Sequence, residues 1–284
     1  MTPFPSPLVS TAWLADHLQD PDLVILDASW YLPVSGRDAL REFAAAHLPG
    51  ARFFDLDELS AHDTALPHML PDDAQLGEQL GALGVAKRSR VVVYDGTGAN
   101  MSAARAWWML RVAGHTETSV LDGGFRRWQA EGRPVTAEVT PWEPVSFTAQ
   151  VDRGRVRDRV AVERVIRDGG AQLVDMRSEG RFSGRDPEPR AGLPSGHMPG
   201  ARNLPFTTLV DGAGLALRGE ALRQRLAGAG VDPARPIIAT CGSGVSACTL
   251  LLALDLLQAG DGASLYDGSW TEWAGSGGTI VKEW

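Results

Sequence analysis

The stretch PIIATCGSGVSACTLLLAL, residues 236–254, holds an apolar run, a glycine- and serine-rich turn opening on a cysteine, and an apolar helical pattern. A strand apolar on both faces that passes at once into a helix is the building unit of a parallel sheet. The same order occurs in VVVYDGTGANMSAARAWWML, residues 91–110. Working outward from this pair, LVILDAS (23–29) matches AQLVDMRS (171–178), and AHLPGARFFDL (46–56) matches GHMPGARNLPF (196–206). Further along, LDGGFRRW (121–128) matches YDGSWTEW (266–273). The offsets agree: 148 residues from Asp27 to Asp175, 150 from His47 to His197, 146 from Asp95 to Cys241 and 145 from Asp122 to Asp267. Four matches in one order at nearly one offset mean that the chain is a duplicated domain.

Each copy alternates strand and helix patterns, which predicts an α/β fold: two tandem domains, each a mainly parallel sheet flanked by helices. The expected boundaries are 1–130 for the first domain, 131–154 for a Pro-, Thr- and Val-rich linker running extended along both halves, and 155–284 for the second. A length of 284 residues suits two domains of middling size. A net charge of −8 disfavours a nucleic-acid or anionic-membrane surface, and no run approaches the roughly 20 apolar residues that span a bilayer. The opening MTPFPSPLVS lacks the basic and apolar regions of a secretory signal. Cys241 and Cys248 are the two cysteines, and their spacing fits neither a zinc site nor a CxxC motif. A reducing, cytoplasmic setting is the expectation.

Ligands of open parallel sheets bind beyond the C-terminal strand ends, and Cys241 is at such an end. The turn after it brings backbone N–H groups and a helix N-terminus toward the sulfur, an arrangement that stabilises an anion. Gly242 and Gly244 let a ligand approach the backbone, and Ser243 and Ser246 add hydroxyls. An isolated cysteine is more often an inert core residue; here the turn favours a nucleophile or the carrier of an anionic adduct, while Cys248, inside the helix, keeps the packing role. A cysteine phosphatase needs an arginine at the end of the loop to clamp phosphate, and Ala247 stands there. Sulfur transfer through a persulfide needs no such arginine.

On the CGSGVSA loop, the HxPGA segments, the LDGG and YDGS turns and GRFSGRDPEPR (180–190), the chain resembles the tandem-domain rhodanese superfamily over nearly its whole length. The loop is similar to that of the family's 3-mercaptopyruvate sulfurtransferases. Thiosulfate-using members carry basic residues where Gly242 and Ser243 stand. The resemblance implies a loop-exchanged pair of domains with the site at their interface and only the second domain catalytic. Asp95, at the place of Cys241 in the first copy, cannot carry sulfane sulfur. It further implies Arg181 and Arg190 as the substrate-binding arginines, and the loop residues Gly242, Gly244, Val245, Ser246 and Ala247 as the cradle. Asp57 and His68 would face Cys241 and form a proton relay with Ser243. On the sequence alone a lone histidine is more often structural. Arg185 reads as solvated, Arg177 as the ion-pair partner of Asp175, and His47 and His197, present in both copies, as structural.

The implied reaction moves sulfur from 3-mercaptopyruvate through a Cys241 persulfide to a thiol acceptor, thioredoxin included, or to cyanide, and releases pyruvate. It calls for no metal or organic cofactor. Two rivals stay open: a thiosulfate sulfurtransferase, and a non-enzymatic persulfide carrier or partner-binding module.

Overall fold

The computed structural model describes residue 4 and residues 6–283. The chain divides into two compact units, and each holds a five-stranded, all-parallel sheet. In the first, β1 (Leu8–Val9), β2 (Leu23–Asp27), β3 (Ala51–Phe53), β4 (Arg90–Tyr94) and β5 (Thr118–Leu121) pair in the order β1-β5-β4-β2-β3. Its helices are α1 (Thr11–His17), α2 (Ala39–Ala45), α3 (Asp73–Ala82), α4 (Met101–Val112) and α5 (Gly124–Ala130). In the second, β6 (Val156–Arg157), β7 (Gln172–Asp175), β8 (Arg202–Asn203), β9 (Ile237–Thr240) and β10 (Ala263–Tyr266) pair as β6-β10-β9-β7-β8, the same order. The matching helices are α6 (Arg159–Asp168), α7 (Glu179–Ser183), α8 (Gly219–Gly228), α9 (Cys248–Leu256) and α10 (Ser269–Gly275).

The central strands explain the topology. Val91, Val92 and Val93 are fully buried, as are Leu26 and Ala239, because a strand covered by helices on both faces has no polar side. Each such valine or leucine stabilises the fold by about 1.5–3 kcal/mol relative to its exposed state. Trp107, Trp108, Trp128, Trp270 and Trp273 are core residues: Trp128 and Trp273 sit at matching places, and each indole donates to a carbonyl six residues on, Trp128 to Pro134 at 2.7 Å and Trp273 to Thr279 at 2.9 Å. Four helices, α1, α2, α3 and α6, start at side-chain caps: Ser10, Asp38, Asp72 and Asp158 each accept an amide of the first turn.

His47 and His197 are structural in the same way. Each pairs with a distant residue in an isolated antiparallel bridge, with Thr136 and Val281 respectively. His47 stacks on Phe43 at 4.1 Å and His197 on Phe182 at 3.9 Å.

The units exchange short pieces of chain. The first comprises residues to His62, Leu70–Asp152 and Gly212–Ala216; the second comprises Asp63–Met69, Arg153–Asp211 and the chain from Leu217 onward. Residues 131–152 therefore belong to the first unit. Val145 N donates to Gly81 O at 2.9 Å and Asp152 N to Val112 O at 2.8 Å. Gly77 and Gly81 lie one turn apart on α3, and a Cβ on Gly77 would stand 2.8 Å from Phe147 O, so the helix needs glycine for the connector to lie against it. Among the described residues no helix is long and apolar enough to cross a membrane.

Candidate active site

β9 ends at Thr240 and Cys241 follows directly, 2% exposed. The next six residues turn the chain back into α9, with Gly244 in the left-handed region at φ +76°. What the loop presents follows from where its carbonyls go. Cys241 O accepts from Trp270 N at 3.0 Å, and Gly242 O from Thr271 N at 3.0 Å and Thr271 Oγ1 at 2.7 Å. Val245, Ser246 and Ala247 carbonyls accept the first amides of α9, and Gly244 O accepts the Cys248 thiol at 3.3 Å. The carbonyls are thus committed to α10 and α9. The amides of Gly242, Ser243, Val245, Ser246 and Ala247 find no acceptor among the described residues. Buried amides are nearly always paired, so a loop that leaves five unmatched is built to receive an anion.

Cys241 N donates to Ser269 Oγ at 3.2 Å, and Ser269 Oγ donates to Tyr266 O at 2.8 Å. Ser269 is fully buried at φ +51°. A left-handed serine is strained, and its two hydrogen bonds under the cysteine offset that cost.

The side chains around the loop come from two segments of the second unit. Ser243 Oγ lies 2.9 Å from His68 Nδ1 and accepts from Arg190 Nη2 at 3.2 Å. With Arg190 donating to this oxygen, the hydroxyl can give its hydrogen to His68 Nδ1 in the tautomer that leaves that nitrogen unprotonated. His68 is 4% exposed and reaches the loop because the segment 63–69 belongs to this unit. Arg181 comes from α7 and Arg190 from the loop after it. A Cβ on Gly242 would stand 3.1 Å from Arg181 Nη2 and 3.5 Å from Arg190 Nη1, so both guanidinium groups flank Gly242. Arg181 is braced by Glu188, through Nε at 3.1 Å and Nη2 at 2.6 Å.

Behind these lies a buried cluster. Arg177 is wholly enclosed, paired with Asp175 at 2.6 Å and Glu188 at 2.7 Å, donating to Gly196 O at 2.6 Å and lying over the Trp270 ring. Arg185 is 56% exposed and pairs with Glu179. Asp57 stands in the first unit, where its two carboxylate oxygens accept from Trp30 Nε1 at 3.2 and 3.1 Å. Among the described residues no group of three or more His, Cys, Asp or Glu could hold a metal ion.

The structure thus brings Cys241, Ser243, His68, Arg181 and Arg190 around one loop. Two contributors were not read from the sequence. Ser269 had a signal: it stands where the first copy has Gly124, inside a repeat that otherwise keeps its glycines. Glu188 had none, since a glutamate between two prolines in a charged loop looks like a solvated one.

Known proteins resemble this chain over nearly its whole length. The Rhodanese-like domain matches twice, over residues 10–131 and 159–276. A rat 3-mercaptopyruvate sulfurtransferase is 43% identical over 94% of this chain and 91% of its own. A rat thiosulfate sulfurtransferase is 44% identical over the same shares of the two chains. The crystal structure of SseA from Escherichia coli, a 3-mercaptopyruvate sulfotransferase by its description, superposes with a TM-score of 0.85 at 36% identity, covering 93% of this chain and 99% of that one.

Proposed function

The chain belongs to the rhodanese family, and from that premise we propose that it is a sulfurtransferase whose donor is 3-mercaptopyruvate. Relatives named for either donor are equally similar to it, so the choice rests on the site. The observation that carries it is the pair Arg181 and Arg190 flanking Gly242 in a loop that has no charge of its own. Two guanidinium groups at the rim suit a carboxylate with an adjacent ketone. A dianionic donor would be better served by cations inside the loop.

In this reading the Cys241 thiolate attacks the donor sulfur. An S–S bond forms, the C–S bond breaks, and its electron pair goes to the carbon of the departing pyruvate enolate. Arg181 and Arg190 hold the carboxylate and the enolate oxygen, where charge grows in the transition state. The donor thiol proton leaves through Ser243 toward His68 and ends on the enolate carbon, giving pyruvate. The terminal sulfur of the persulfide is held by the amides of residues 242–247. A thiol acceptor, a small thiol or reduced thioredoxin, then takes it and returns the Cys241 thiolate. Cys241 and Cys248 are not joined in a disulfide, which suits a reducing compartment, and we place the chain in the cytoplasm.

The test is pyruvate release from 3-mercaptopyruvate with a thiol acceptor, beside thiocyanate formation from thiosulfate and cyanide. A higher kcat/KM for mercaptopyruvate is expected. A preference for thiosulfate would hand the assignment to the second reading, which relatives of that name support, and turnover of neither donor would leave a persulfide carrier.

A further inference from the structure

The mechanism gives no task to Glu188, yet no carboxylate is more closely tied to the substrate arginines. Its side chain is 2% exposed. Oε1 accepts from Arg177 Nη1 at 2.7 Å and Arg181 Nε at 3.1 Å, and Oε2 accepts from Arg181 Nη2 at 2.6 Å. Arg177 already has Asp175 as a buried counter-charge. Glu188 therefore acts chiefly on Arg181, and in two ways. It takes the Nε–Nη2 edge of the guanidinium, fixing the plane so that Nη2 also points at Gly242. It also cancels one unit of positive charge within a few ångströms of the place where the donor must sit.

We propose that Glu188 is a positioning residue that sets the charge of the preferred donor: by neutralising Arg181 it fits the site to one negative charge rather than two. The proposal rests on the donor reading above. The size of the effect follows from Coulomb's law: one unit charge at about 6 Å, in an effective dielectric of about 40, changes the affinity for each further charge on the ligand roughly tenfold. A residue that only braced the loop would weaken every anion alike.

The experiment compares pyruvate, a monoanion, with thiosulfate, a dianion, by titration calorimetry in the Cys241→Ser protein, where no turnover occurs. Adding Glu188→Gln, which keeps the shape and loses the charge, is expected to raise the thiosulfate-to-pyruvate affinity ratio roughly tenfold. Adding Arg181→Gln instead should lower the ratio by a similar factor, since it removes the charge that Glu188 offsets. Glu179→Gln, on the exposed Arg185 pair, should leave the ratio where it was. A Glu188→Gln protein that binds both anions less well at an unchanged ratio overturns the proposal. Should that variant fail to fold, a ratio that does not fall in Arg181→Gln overturns it as well. Because these titrations need no catalysis, they stand or fall separately from the pyruvate-release assay on the wild-type enzyme.

Discussion

After β4 the chain meets Asp95; after β9, at the matching place, it meets Cys241. The Asp95 carboxylate is fully buried and accepts from Thr97 N at 2.8 Å, Thr97 Oγ1 at 2.6 Å, Ala103 N at 2.9 Å and Ser102 Oγ at 3.3 Å. The rest of the turn is shared. Phe125 N donates to Asp95 O at 2.9 Å as Trp270 N donates to Cys241 O at 3.0 Å, and Gly98 and Gly244 have the same φ of +76°. The first loop therefore carries its own carboxyl group, bonded by Thr97 of the loop and by Ser102 and Ala103 at the start of α4. The second has the same backbone and a thiol, with its amides unmatched. What differs is who supplies the negative charge: a residue of the chain in one copy, an adduct on sulfur in the other.

The comparison breaks most decisively at the cysteine. Cys241→Ser should remove sulfur transfer altogether, a loss of at least about three orders of magnitude in kcat, while Cys248→Ser stays near wild type because its thiol lies inside α9 and bonds Gly244 O. Intact mass after donor alone reads this directly; one added sulfur that persists in Cys241→Ser would end the assignment.

A smaller effect is expected at the rim, where the first copy sets Arg37 beside Gly96 and the second sets Arg181 and Arg190 beside Gly242. Arg190→Lys keeps the charge but gives up the fork, and losing a charge-assisted partner costs about 1.5–3 kcal/mol. The expected fall in kcat/KM for mercaptopyruvate is roughly ten- to a hundredfold. Arg185→Lys, on an exposed pair, should change it little. Steady-state kinetics that rank the two the other way round would dissolve the proposed clamp.

The smallest effect on turnover, none, is expected from the strand-end aspartates, yet these sharpen the contrast in stability. Asp175 has Arg177. Asp27, at the same place in the first copy, is 4% exposed, and burial outweighs its hydrogen bonds from Ser29 and Tyr94 to push its carboxyl up to about 6. A folded-state value above the unfolded one of about 3.9 means that the folded state binds the extra proton, so its stability falls as pH rises from about 4 to 6. Asp27→Asn should remove that slope and be more stable than wild type by about 1–3 kcal/mol above pH 6. Urea unfolding at pH 4.5 and pH 7.5 checks it: a variant with the wild-type pH dependence refutes the buried proton.

Much of this was legible in the sequence. The repeat offsets gave the two units and their equal strand order, because a buried parallel strand must be apolar throughout and the turn after it needs its glycines. Cys241 was singled out by its strand-end place before a glycine-rich turn, whereas the parts given to Arg181, Arg190 and Ser243 came from the family resemblance. The identity of the inner acid was not. Whether Glu188 meets solvent or two arginines depends on how a proline-rich loop folds back on itself, and neither periodicity nor composition records that. Nor does the sequence mark Asp63–Met69 as part of the second unit, since a hydrophilic loop looks alike wherever it packs. The resemblance pointed to His68; the spacing of residues could not.

The exchanged segment also has a history in time. His68 and Ser243 are 175 residues apart in the chain. At a synthesis rate of roughly 5–20 residues per second, the histidine leaves the ribosome on the order of ten seconds or more before the serine exists. During that interval β4 to β9 are made, and until Arg153 emerges the strap bearing the histidine has nothing of its own unit to pack against. The site is therefore completed late, and a nascent chain halted before β9 would hold one half of the relay ready with no sulfur to serve.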